Sequence, residues 1–183
     1  MRHRLKLLFM SCVVMFNFTA SEISLAASAT EINIGVTETL KRFKTEISGG
    51  EEFLKQAKGV LVFPSIIKAG FVVGGEYGEG ALQIGGKNVD YYSTAAASFG
   101  FQLGAQSKSL VLIFMTDDAL NGFQNSDGWK AGVDGSVAVV EWGVGEDINT
   151  VDIKDPIIGF VFSNKGLMYN LTLEGSKFTK LEK

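Results

Sequence analysis

Between residues 31 and 47, apolar side chains recur at intervals of four, three and four: Val36, Leu40, Phe43 and Ile47. This spacing puts them on one face of an α-helix and leaves Glu38, Lys41, Arg42, Lys44 and Glu46 among the polar positions. Gly49-Gly50 supplies the stop, because glycine accepts the left-handed conformation that closes a helix. The next stretch, "EEFLKQAK" (51–58), predicts a short second helix. Its acids sit in the first turn and its lysines toward the end, as the helix dipole favours.

After Gly59 the period changes. The runs "VLVF" (60–63, ended by Pro64), "AGFVVGGEYGEGALQIGG" (69–86), "VDYYST" (89–94), "SFGFQLGAQ" (98–106) and "SLVLIFMT" (109–116) are apolar, β-branched and aromatic. "VDGSVAVVEWG" (133–143), "IIGFVFS" (157–163) and "LMYNLTLEG" (167–175) continue the series. Turn signals at Gly86-Lys87-Asn88, Asn164-Lys165-Gly166 and Glu174-Gly175 separate them. One helical interruption is expected at "TDDALNGF", where Thr116 can cap a first turn holding Asp117 and Asp118, with Gly122 near its end. Short strands without long helices between them predict an α+β domain. Its amino-terminal helices pack on a glycine-rich antiparallel β-sandwich or barrel-like body.

The glycines within these strands invite a phosphate-binding reading, which their spacing rejects. Gly80 and Gly85 are separated as in a P-loop, but Gly86 stands where the lysine is required. Counted back from Lys87, Ala81 takes the place of the first glycine and Asn88 that of the hydroxyl. The dinucleotide pattern fails as well, with Gln83 at its third glycine. Strand glycines mark bulges, bends or close backbone approach, and Gly74 and Gly75 are the expected points of tight packing.

The amino terminus changes the chemistry available. "MRHRLK" is basic, Leu7 to Phe18 is mostly apolar, and Ala27-Ser28-Ala29 offers a small-x-small site. This is the pattern of a secretory leader, predicting a leader over 1–29, one domain over 30–183, export, and a periplasmic or cell-envelope location. The single cysteine (Cys12) and single histidine (His3) both fall inside the leader. The full chain has 17 basic and 20 acidic side chains; the leader holds three of the first and one of the second, leaving 14 against 19, a formal charge of −5. A net negative domain lacks the field that attracts a polyanion, so no nucleic-acid partner is expected.

A domain without histidine or cysteine has neither a Ser-His-Asp nor a Cys-His catalytic set, nor a His- or Cys-ligated zinc site. Ser98 within "AASFG" has no base to activate it. "DDALNG" from Asp117 fails as a calcium loop, since Ala119 occupies a ligand position and Gly128 stands where the closing glutamate belongs. Asp127 and Asp134 remain scattered carboxylates. Glu76 and Glu79 could pair as acid and base, or could be polar positions around a strand bend. Asn170-Leu171-Thr172 fits a glycosylation sequon, a pattern frequent by chance. No metal or cofactor is expected. The helix bearing Lys41, Arg42 and Lys44 around Phe43 can either lie on an anionic membrane or pack one face on the sheet.

"AKGVLVFPSIIKAGFVVGGEYGEGAL" (57–82) resembles the SYLF domain, a lipid-binding module also found in actin-regulating proteins of yeast endocytosis. The stretches "AASFGFQLGAQSKSLVLIFMT" (96–116), "GVDGSVAVV" (132–140) and "NKGLMYNLTLEGSK" (164–177) extend the resemblance. "SNKGLMYN" departs from the eukaryotic pattern by losing an arginine and by carrying Met168 where a phenylalanine is usual. With the leader, the chain resembles the bacterial exported branch, to which actin binding does not carry over. The resemblance implies a non-catalytic protein that binds lipid or membrane, and the basic residues of the first helix point to anionic head groups. The candidate contacts are Lys41, Arg42, Phe43 and Lys44, with Lys55, Lys58 and Lys68 as further charges. A structural or protein-interaction module, actin-binding-like by family resemblance only, is the alternative, and an enzyme working with carboxylates alone is a third class.

Overall fold

The computed structural model describes residues 26–70, 73–99, 106–141, 155–162, 173 and 175–183. Two helices come first, α1 (Ala29–Glu46) and α2 (Gly50–Gln56). Four long strands follow: β1 (Gly59–Gly70), β2 (Val73–Ile84), β3 (Lys87–Phe99) and β4 (Gln106–Phe114). Then come α3 (Asp117–Gln124), β5 (Trp129–Lys130), β6 (Ala138–Glu141), β7 (Ile157–Phe162) and β8 (Lys177–Leu181). The strands form one curled, mixed sheet in the order β5-β8-β3-β2-β1-β4-β7-β6. Among the described residues every strand pairing is antiparallel except β6 with β7. The architecture is α+β, with the amino-terminal helices packed on the sheet.

The three helices follow their local signals. Ser28 and Glu31 cap α1 reciprocally: the Glu31 N–H donates to Ser28 Oγ (3.2 Å) and the Ser28 N–H to Glu31 Oε2 (2.8 Å). Gly49 takes a φ of 75° at the junction with α2. Thr116 caps α3 by accepting from the Ala119 N–H at 3.2 Å. Two strands carried no sequence signal, β5 and β8. They are short, and β8 finds its place by pairing with β5 and with β3, the latter 86 residues away at Ser93 and Thr179.

Around β4, β7 and the first half of β1 the sheet is buried on both faces, which is why these strands read as unbroken apolar runs rather than as alternation. Leu61, Phe63, Leu110, Leu112 and Phe114 point to one side, where they meet Leu120 and Phe123 of α3, Trp129 and Phe178. Val60, Val62, Val111, Ile113, Ile158 and Phe160 point to the other, under α1 and α2. Helix α1 crosses that second face. Its Asn33 meets Asn88 and Tyr91 of β3, and its Phe43 stacks edge-on against Phe160 of β7 with centroids 4.9 Å apart.

Pro64 does not end β1, contrary to the sequence expectation. The strand runs through it by means of a bulge. The register shifts between Val62 and Ser65 against β2, and between Phe63 and Ile66 against β4. Proline lacks an N–H, so a central strand tolerates it only where a bulge removes it from the ladder. The extra residue also changes the phase of the strand: Ile66 joins the cluster of Leu61 and Phe63 rather than that of Val60 and Val62. The bulge explains the glycines. A Cβ on Gly80 would overlap the Val62 carbonyl, and one on Gly78 would lie 2.7 Å from the Ser65 carbonyl. On the helix side, a Cβ on Gly35 is already 2.9 Å from the Pro64 ring. At Gly75 the expectation of tight packing fails, because its nearest neighbour would be the Ala96 carbonyl at an ordinary 3.8 Å. The expected strands over 98–106 and 167–175, and Asn170, lie largely or wholly outside the described residues.

Glu79 of β2 ties the start of α1 to the sheet. Its Oε2 accepts from the Ala27 N–H (3.0 Å) and from Lys183 Nζ (2.9 Å), and its Oε1 from the Tyr77 hydroxyl (2.7 Å). Burial alone would raise its pKa. The hydrogen bonds from Tyr77 and Lys183, the Lys183 charge and the Ala27 N–H outweigh it and hold the carboxyl below its ordinary 4.5. The Tyr77 hydroxyl is pushed up to about 12 by burial and by the Glu79 carboxylate.

Two measurements follow from this packing. Gly80→Ala should destabilise by about 1–3 kcal/mol through overpacking, whereas Gly75→Ala should stay within about 0.5 kcal/mol. Denaturant titration of the two variants checks the contrast, and equal effects would refute the bulge as the cause. The lowered Glu79 pKa gives stability that is fully present above pH 4.5 and is lost as the pH falls through the folded value. In melting curves against pH, Glu79→Gln should therefore shrink the loss of stability on acidification below 4.5. An unchanged acid limb would show that Glu79 contributes nothing to it.

Candidate functional site

A groove of about 460 Å³ opens where α1, α2, the start of β1 and the β2–β3 turn meet. That volume is within the usual range for small-molecule sites. Leu40 of α1, Leu54 of α2, Ala57 and Val60 provide its apolar surface. Gly59, Gln83 and the Gly85-Gly86 turn provide the opposite wall. Both turn glycines have positive φ (58° and 76°), and nothing stands within 4 Å of a Cβ at either, so this wall is bare backbone. At the α1–α2 junction a Cβ on Gly50 would lie 2.8 Å from the Phe43 carbonyl, so glycine permits the short turn that sets α2 beside the groove.

Three lysines line the groove, Lys44, Lys55 and Lys58, against a single acid, Glu51. Lys44 sits in the last turn of α1, where a cation suits the carbonyl end of the helix dipole. Lys55 pairs with Glu51 at 3.2 Å and Lys58 with Asp117 at 3.4 Å. Both pairs are well exposed, and exposed pairs contribute little. Each lysine can therefore exchange its carboxylate for another anion at small cost.

The other residues singled out from sequence go elsewhere. Phe43 is fully buried, with its ring on Phe160, so it holds α1 on the sheet and presents nothing to a surface. Burial of such a ring contributes about 1.5–3 kcal/mol. Arg42 also braces the fold: Nε donates to Glu46 Oε1 at 3.0 Å, and its guanidinium lies 5.1 Å over the Phe162 ring of β7. Lys41 is exposed on α1 and does not line the groove. Lys68 lies farther along β1, roughly 25–30 Å from Gly59 at strand rise. There it forms an ion-paired cluster in which Glu76 faces Lys68 at 3.6 Å and the buried Lys108 at 2.5 Å.

Sequence reading thus found the groove's lysines but not its walls. Leu40 carried a signal as a member of the apolar stripe of α1, and it is half-buried at the edge of that stripe. Gly85-Gly86 read only as a turn. Glu76 and Glu79, considered as an acid–base pair, are engaged separately, the first by Lys68 and Lys108 and the second by Ala27, Tyr77 and Lys183. Among the described residues, no group of three or more acidic, histidine or cysteine side chains is placed to hold a metal ion. Among them, too, no helix is long and apolar enough to cross a membrane.

No curated protein matches the chain. A family model does match, over residues 95–183. The match includes three of the four stretches that carry the resemblance noted above, and it begins in β3, downstream of the groove. Residues 95–183 are accordingly similar to the SYLF family, whose model is described as Ysc84, Las17-binding protein actin regulator.

Proposed function

We propose that this protein is a non-catalytic module of the cell envelope that binds anionic lipid head groups in the groove between α1, α2 and the β2–β3 turn. The observation that carries this reading is the convergence of Lys44, Lys55 and Lys58 on a groove that also presents Leu40, Leu54, Ala57 and Val60. Such a groove can take a phosphate at its lysines and the first carbons of an acyl chain or glycerol along Leu40, Leu54 and Val60. The bare backbone of Gly85-Gly86 lets a head group approach closely. Similarity of residues 95–183 to a binding-module family supports the non-catalytic part. The −5 charge predicted for the exported domain opposes binding to a negative surface in general, so attraction must be local. The family description favours one second reading, that the partner is a protein.

Vesicle co-sedimentation tests the proposal. Each lysine near an anionic surface is worth about 1 kcal/mol, so Lys44→Ala/Lys55→Ala/Lys58→Ala should weaken binding to anionic vesicles on the order of a hundredfold. Lys41→Ala alone should change it less, and high salt should weaken the wild type. Removing exposed lysines should leave the melting temperature nearly unchanged, which keeps folding and binding apart. Equal binding by wild type and the folded triple variant would reject the groove. Absence of binding to any vesicle would favour the protein-partner reading.

A further inference from the structure

The basic, apolar and small-residue segments of the first 29 residues contain two small-x-small sites in tandem, Ser24-Leu25-Ala26 and Ala27-Ser28-Ala29. From sequence alone, the second is the expected cleavage site. The structure separates them. Ala29 is already the first residue of α1, and Ser28 is its cap. Ala27 is held on both sides of its backbone: its N–H donates to Glu79 Oε2 at 3.0 Å, and its carbonyl accepts from Lys183 Nζ at 2.6 Å. The side chains of Glu79 and Lys183 are only 6% and 12% exposed, although Lys183 as a whole residue lies at the surface.

Cleavage after Ala29 would remove the capping serine and both Ala27 contacts, and it would cut inside the first helical turn. Cleavage after Ala26 keeps every one of these contacts, and Ala26 itself is exposed. It also improves the charge balance. Glu79 pairs with Lys183 at 2.9 Å, and among the described residues Lys183 is the one cation that this carboxylate holds. A free amino group on Ala27 adds the second positive charge, 3.0 Å from Glu79, and turns a neutral hydrogen bond into a charge-assisted one.

We propose that a leader peptidase cuts the chain between Ala26 and Ala27, and that the new α-ammonium of Ala27 forms an ion pair with Glu79 that locks α1 onto β2. Water supplies the step. The Ala26 carbonyl carbon takes the water oxygen and leaves with the leader as a carboxylate. Both water protons end on the Ala27 nitrogen, which becomes the ammonium. The mature protein then runs from Ala27, three residues earlier than the sequence expectation, with the same formal side-chain charge of −5.

Intact-mass measurement and amino-terminal sequencing of the full chain after export test this directly. The expected start is Ala-Ser-Ala-Thr-Glu, and a start at Thr30 or Met1 overturns it. Ala26→Phe should leave the precursor uncut, while Ala29→Phe should be processed as the wild type; the reverse pattern overturns it. A chain beginning at Thr30 should melt at least about 2–4 °C below one beginning at Ala27, because it lacks the cap and the anchor. Glu79→Gln should narrow that gap. Equal melting of the two starts removes the ion pair as a lock and overturns that half of the proposal.

Discussion

The bulge at Pro64 is the constraint on which the rest of this structure rests. A proline in a strand with partners on both sides has no N–H to give the ladder. The chain therefore steps out of register there against both β2 and β4. The carbonyls on either side of the step press toward β2, and Gly78 and Gly80 leave them room. The proline ring projects toward α1, where Gly35 leaves room in turn. The Pro64 carbonyl is satisfied by the Ser109 hydroxyl at 2.8 Å, so the bulge leaves no buried acceptor open at that point. One imino acid thereby sets the spacing between helix and sheet and the phase of β1 beyond it.

That change of phase decides what happens at the far end of the sheet. Past the bulge, even-numbered residues of β1 face the α3 side, so Lys68 follows Ile66 onto the face shared with Glu76 and Lys108. Two lysines on one carboxylate form a closed electrostatic unit with little exposure. The lysines near the other end of β1 behave differently. Lys44, Lys55 and Lys58 flank half-buried leucines and pair weakly if at all with well-exposed acids. The same residue type thus braces the sheet at one end and offers itself to a ligand at the other. Desolvation distinguishes the two, since a buried ammonium must keep its partner while an exposed one need not.

The groove is built by residues 40–86, whereas the family match begins at residue 95. Yet the two parts form one sheet, with β1 of the first paired to β4 of the second over most of its length. The core under α1 is likewise shared: Phe43 and Phe53 both meet Phe160 of β7. The helices that build the groove therefore pack on a strand that the matched region supplies, even though no residue lining the groove belongs to it.

Much of the local structure was settled by the chain itself. The 3.6-residue stripe from Val36 to Ile47, the Thr116 cap and the unbroken apolar run of β4 needed no distant partner to be read. The absence of histidine and cysteine beyond the leader pattern already removed whole classes of chemistry. What the tertiary structure alone decided involves residues far apart in sequence. Ala27 meets Glu79 across 52 residues and Glu79 meets Lys183 across 104, and no local pattern encodes either contact. Phe43 and Lys44 are neighbours on one helix, yet the first is sealed against Phe160 and the second lines the groove, because the sheet beneath α1 determines which direction is inward. The glycines show the same division. Composition announced that backbones would come close, but only the register of β1 against β2 placed that closeness at Gly78 and Gly80 rather than at Gly75, since steric exclusion is a property of the facing strand.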